Sequence, residues 1–193
     1  ESFVSDVAKW RLTLSRQVRE GAQGEGYRLL RQDAERLRDQ LRQLGVHDTA
    51  FTILPPSAQP MWGREGERTG YNLMQPLFVI SDRPEILEQL AIDPAAFAGD
   101  GAGIEMSQLE YFFSGIAELK HSLLGAATRD ARRRAEEIAT STGDRVGGVV
   151  SARAGVFQIT EPYSTEVSSM GMHNTSTRRK EITVTVHADF SLR

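Results

Sequence analysis

The chain has 193 residues, with 23 Lys and Arg against 26 Asp and Glu, a net charge of -3 and no cysteine. A chain of this length buries roughly 70% of its extended surface and needs no covalent staple, and the lack of cysteine removes disulfides, thiolate nucleophiles and thiolate zinc sites together. The charge balance gives no footprint for nucleic acid, and no apolar run reaches the roughly 18 residues of a membrane helix.

In chain order, Trp10, Leu12 and Leu14 alternate with Lys9, Arg11, Thr13 and Ser15, which predicts a strand over Val4 to Gln17 with one buried face. Gly21, Gly24 and Gly26 lead into a helix in which Tyr27, Leu30, Ala34, Leu37, Leu41 and Leu44 recur at three- and four-residue steps, ended by Gly45. Ala50 to Leu54 reads as a short strand stopped by Pro55 and Pro56, and the turn formers through Gly66 as a mobile hairpin tip or loop. Gly70 to Ile80 is a strand apolar on both faces, in which Pro76 points to an edge or a bulge. Ser81 and Asp82 offer an N-cap, with Pro84 in the first turn, to a short helix through Leu90.

Asp93 to Gly103 reads as loop with one helical turn at Pro94 to Phe97, and Ile104 to Phe113 as a strand ending in Tyr111, Phe112 and Phe113. Ser114 is the expected cap of a long helix whose apolar face carries Ile116, Leu119, Leu123, Ala127, Ala131, Ala135 and Ile138. The alanines at 127, 131 and 135 stack small side chains on one face, which predicts close packing on a sheet with no spare volume. Gly143 supplies a left-handed cap, and a strand is expected from Arg145 to Ile159. The final strand has Ile182, Val184, Val186, Ala188 and Phe190 on one face and Glu181, Thr183, Thr185, His187 and Asp189 on the other. Strands and helices without regular βαβ alternation predict an α+β fold.

Few residues point to chemistry. The basic triplets Arg132 to Arg134 and Arg178 to Lys180 read as a solvated helix face and a strand entry, since Glu136 and Glu137 lie one turn from the first. His47, His121, His173 and His187 are far apart and lack ligand spacing, so no metal site is expected. Gly143, Gly147 and Gly148 follow a helix instead of preceding one, the reverse of a phosphate cradle. The serines lack a nucleophile-elbow setting, and no catalytic or cofactor-binding residue is expected. The loop Pro162 to Thr177 mixes Tyr163, Met170, Met172 and His173 with small hydroxyl residues, a composition suited to a contact surface.

The segments DARRRAEEIATSTGDRVGGVVSA (130–152), GYNLMQPLFVIS (70–81), the helix ending in LRQLGV, and VFQITEPYSTEVSSMGMHNTS (156–176) together resemble the SIMPL-domain family, which includes the bacterial periplasmic immunogens. The last segment resembles a branch that carries an N-terminal membrane anchor. The resemblance implies a single SIMPL-like domain over residues 1–193, exported to the periplasm or cell envelope, oligomeric, connected in some members with envelope or oxidative stress, and without an established enzymatic role. It brings no catalytic residues. Set beside that branch, the expectation is that the anchor and part of the first family strand lie outside this sequence.

The expectation is therefore a non-enzymatic envelope protein of two α+β lobes with mostly antiparallel sheets, each covered on one face by helices. The terminal lobe takes residues 1–60 and 145–193, and the inserted lobe 70–143. The expected partner is a second copy of the chain, with no cofactor, no nucleic acid, and membrane contact only through the absent anchor. Candidate interface residues are Tyr163, Met170, Met172, His173 and Thr185: the loop brings methionine and tyrosine, residues enriched at interfaces, and the outer face of the last strand carries Thr183, Thr185 and His187, which pack against a second surface without a large desolvation penalty. The alternatives are a small-molecule or peptide binding module built around Tyr111 to Phe113 and Tyr163 to Met172, and a hydrolase whose site is assembled in space.

Overall fold

The computed structural model describes residues 1–93 and 97–193; the helical turn expected at Pro94 to Phe97 falls largely outside them. The chain forms two compact units, a central unit Asp6–Phe112 and a terminal unit made of Glu1–Ser5 with Phe113–Arg193. The first strand, β1 (Ser2–Val4), belongs to the terminal unit. The central unit then runs β2 (Val7–Arg19), α1 (Gln23–Gln43), a 3-10 turn (Asp48–Ala50), β3 (Phe51–Ile53), β4 (Ser57–Trp62), β5 (Arg68–Ser81), α2 (Pro84–Ile92) and β6 (Gly103–Phe112). The terminal unit resumes with α3 (Ile116–Thr142), β7 (Val146–Ala154), β8 (Gln158–Thr160), β9 (Met172–His173), β10 (Arg179–Thr183) and β11 (Val186–Leu192). This is the expected α+β class, and the pairing is antiparallel except between β8 and β9.

The units divide the chain elsewhere than at the expected lobe boundaries. The reason is β2, which pairs with β5 from Ala8 to Arg19 and with β6 from Val7 to Ser15 and so binds residues near the start of the chain to its middle. Alternation places Ala8, Trp10, Leu12 and Leu14 on one face of β2, and Leu73, Leu77 and Val79 on the matching face of β5, all buried. Helix α1 covers that face with Leu30, Ala34, Leu37 and Leu41, and α2 adds Leu87 and Leu90. Each fully buried Leu contributes about 1.5–3 kcal/mol relative to exposure. Helix α1 stops as expected at Gly45, whose φ of 82° lets the Val46 N–H reach the Leu41 carbonyl at 2.9 Å.

Two local readings of this unit are corrected. The stretch expected as a mobile tip contains β4, which pairs with β5 from Ser57↔Met74 to Trp62↔Arg68. Strand β5 is interior to its sheet, yet Pro76, in unbroken register opposite Thr13, sits where β3 gives way to β4, a local edge such as its missing donor predicts. Its carbonyl accepts from the Leu54 N–H at 3.0 Å, so its nitrogen points toward the β3 and β4 side, where Pro55 and Pro56 interrupt the neighbouring strand. A missing donor is tolerated there because no carbonyl of a regular ladder waits for it. The N-cap of α2 is Arg83, whose N–H donates to the Ser81 hydroxyl at 3.0 Å.

In the terminal unit the order β1-β10-β8-β9 makes one sheet, and β7 pairs with β11 as a separate two-stranded ribbon against which α3 packs. The single strand expected from Arg145 to Ile159 is two, β7 and β8, broken at Gly155. The final strand is likewise two, since Val184 and Thr185 separate β10 from β11 and send them to different sheets. The cap residue of α3 is Gly115, not Ser114. The buried position near its end is Ala139, while Ile138, expected on the apolar face, is 68% exposed, because one residue turns the helix by about 100°. Gly143, with φ of 85°, closes the helix as expected.

Candidate functional site

The two units differ sharply in what they bury. Every buried apolar side chain from Ala8 to Tyr111 belongs to the core of the central unit. Among the described residues the terminal unit contributes three, Ala139, Ile159 and Ile182. Its surface carries Val149, Val150, Val167, Ile138 and Leu192 as exposed apolar side chains. Strand β7 is exposed from Gly148 through Ala154, and among the described residues it pairs with β11 alone.

The candidate interface residues fall at three places. Met170, Met172 and His173 line a groove of about 370 Å³ together with Lys120, Phe157 and Ile159. Thr185, in the break between β10 and β11, lines a separate cleft of about 250 Å³ with Ala127, Ala131, Asp130 and Arg134 of α3. Tyr163 lines neither; it is 94% exposed and held at a φ of 64°. The expected close fit at Ala131 is therefore corrected, since an open cleft adjoins that residue. The alternative reading draws on the aromatic side chains of Tyr111 to Phe113. Tyr111 belongs to the central core, and within the terminal unit the Phe113 ring lies 5.1 Å from that of Phe3.

The groove is built by the parallel pairing of β8 and β9, which sets His173 beside Ile159. Lys120 of α3 holds its ammonium 5.4 Å from the centre of the Phe157 ring, a cation–π arrangement that fixes the charge at the groove wall. His173 titrates below its ordinary range, first because its groove-lining side chain, though exposed overall, is partly desolvated and then because Lys120 and Lys180 lie within electrostatic reach.

Lys180 is the polar residue the sequence concealed. Read as part of a solvated basic triplet, it is 1% exposed and donates to the Ser5 hydroxyl at 3.1 Å. Burial pushes its ammonium down to about 8. A serine beside a lysine of lowered basicity is a nucleophile and base pairing in principle, but Ser5 is also 1% exposed, which closes the hydroxyl to an incoming carbonyl. The signal was available: position 180 shares its strand face with Ile182. The other triplet behaves as read, with Arg132 paired to Glu136 at 2.9 Å and Arg133 and Arg134 paired to Asp130.

His47, His121, His173 and His187 are all exposed, and among the described residues no three His, Asp or Glu side chains converge to hold a metal ion. Among the same residues no helix is long and apolar enough to cross a membrane. Fold and surface define an α+β protein with one well-filled unit and one that leaves much of its apolar surface uncovered. The family model for SIMPL, described as a protein of unknown function (DUF541), matches residues 1–190, and the chain belongs to that family. A comparison with curated proteins finds no match.

Proposed function

We propose that this is a non-enzymatic extracytoplasmic protein of the cell envelope, held there by an N-terminal anchor as in the membrane-anchored branch of its family. It works by assembling with copies of itself, in a role tied to envelope or oxidative stress. The family resemblance supports the location and the stress link. The observation that supports assembly is the exposure of β7, with Val149 at 54% and Val150 at 71%, in a ribbon of two strands.

Helix α3 packs against the ribbon, and the outer edge of β7, free of proline and unpaired among the described residues, offers N–H and C=O groups to a further strand. A second copy supplies that strand most economically. Two β7 edges pairing antiparallel about a two-fold axis make one four-stranded sheet from two ribbons, with each contact made twice. The test is the double variant Val149→Lys with Val150→Lys, which puts charge on both faces of β7 at positions already open to solvent. Assembly mass falls and the far-UV circular dichroism stays the same if β7 is the contact. An unchanged mass places the contact elsewhere.

A further inference from the structure

We propose that the groove between α3 and the Val156 to His173 segment binds a small amphiphilic carboxylate, an apolar chain or ring ending in one anionic group. The walls are apolar and adaptable: Phe157, Ile159, Met170 and Met172 line it, and methionine thioethers repack readily around chains of varied shape. The polar side chains of the lining are Lys120 and His173, and among the described residues no carboxylate lines the groove. Lys180, buried behind the same sheet, adds its field to theirs, as the effect of both lysines on His173 records.

Charge complementarity selects an anion and the lining selects its body. A strongly hydrated ion such as phosphate would have to shed water against methionine and phenylalanine with no compensating donors beyond two side chains. A carboxylate placed beside Lys120 keeps its outer oxygen toward solvent while its chain replaces water along the walls. The volume of about 370 Å³ suits a chain of modest length. This site does not depend on assembly, and binding is read at a protein concentration whose mass is measured in parallel.

The experiment is calorimetric titration of the full 193-residue chain with octanoate, octanol and acetate. Octanoate is expected to saturate and to bind roughly tenfold or more tightly than octanol, which has the body without the charge, or acetate, which has the charge without the body. Met170→Glu changes a 91% exposed residue at the groove mouth, where no core contact is lost, and its folding is checked by far-UV circular dichroism. It and Lys120→Gln should each weaken octanoate several-fold, and bound octanoate should raise the His173 titration seen by NMR, because an added anion favours imidazolium. Equal binding of octanol and octanoate, no saturable binding, or full binding by both folded variants overturns the proposal.

Discussion

Arg16 of β2 and Asp33 of α1 form a bidentate ion pair inside the central unit, with Nε to Oδ2 at 2.7 Å and Nη2 to Oδ1 at 3.1 Å, and Asp33 wholly buried. Arg16 also donates to the Asp100 carbonyl at 2.9 Å, and Arg36 reaches the same carboxylate from the next turn of α1. The pair locks the direction of the helix across the sheet, a task apolar contacts perform with less specificity.

Breaking that pair strands a charge. Asp33→Ala should destabilise the protein by about 3–5 kcal/mol, while the double replacement Arg16→Met with Asp33→Leu should recover most of the loss, because removing both charges removes the desolvation cost with them. Urea unfolding measures both. A single variant losing less than about 1 kcal/mol contradicts the account.

Lys180 sets a pH dependence. Its ammonium titrates at about 8 in the folded chain against 10.5 unfolded. Between those values the unfolded state binds the extra proton, so stability rises with pH across that window. His173, lowered from 6.5, has the same sign at the acid side, with stability falling as pH drops below 6.5 toward its folded value. Urea midpoints from pH 7.5 to 10.5 should climb for the wild type relative to Lys180→Met, and parallel curves would refute the burial of this charge.

Two alanines on α3 separate packed from open positions. Ala131 borders the cleft beside Thr185, so Ala131→Leu should change stability by less than about 1 kcal/mol. Ala139 is 4% exposed, and Ala139→Leu should overpack and lose about 1–3 kcal/mol. Thermal midpoints of the two variants, compared directly, check the orientation of the helix; equal losses contradict it.

Periodicity made much of this architecture legible. Helix α1, its glycine stop and the inward face of β2 follow from spacing alone, and the same spacing puts Arg16 in line with Leu14 and Asp33 beside Ala34, on faces otherwise apolar. The break at Val184 and Thr185 was hidden for a physical reason. Burial keeps alternating through both residues while the hydrogen-bonding partner changes from β8 to β7, and alternation reports the face of a strand but not its neighbour. Gly155 was the readable sign of the earlier break, and its N–H donates to the Thr185 carbonyl at 2.8 Å where the two chain breaks meet. The groove could not be read, since it combines Lys120 of α3 with residues of β8 and β9, whose parallel pairing no local pattern signals.

Assembly through the uncovered apolar surface of the terminal unit is the central claim, and molar mass by light scattering tests it most directly. Measured across a concentration series at fixed salt, the chain of 21.4 kDa should give a multiple of that mass, rising with concentration to a plateau. A constant 21.4 kDa at the highest concentration would contradict the account.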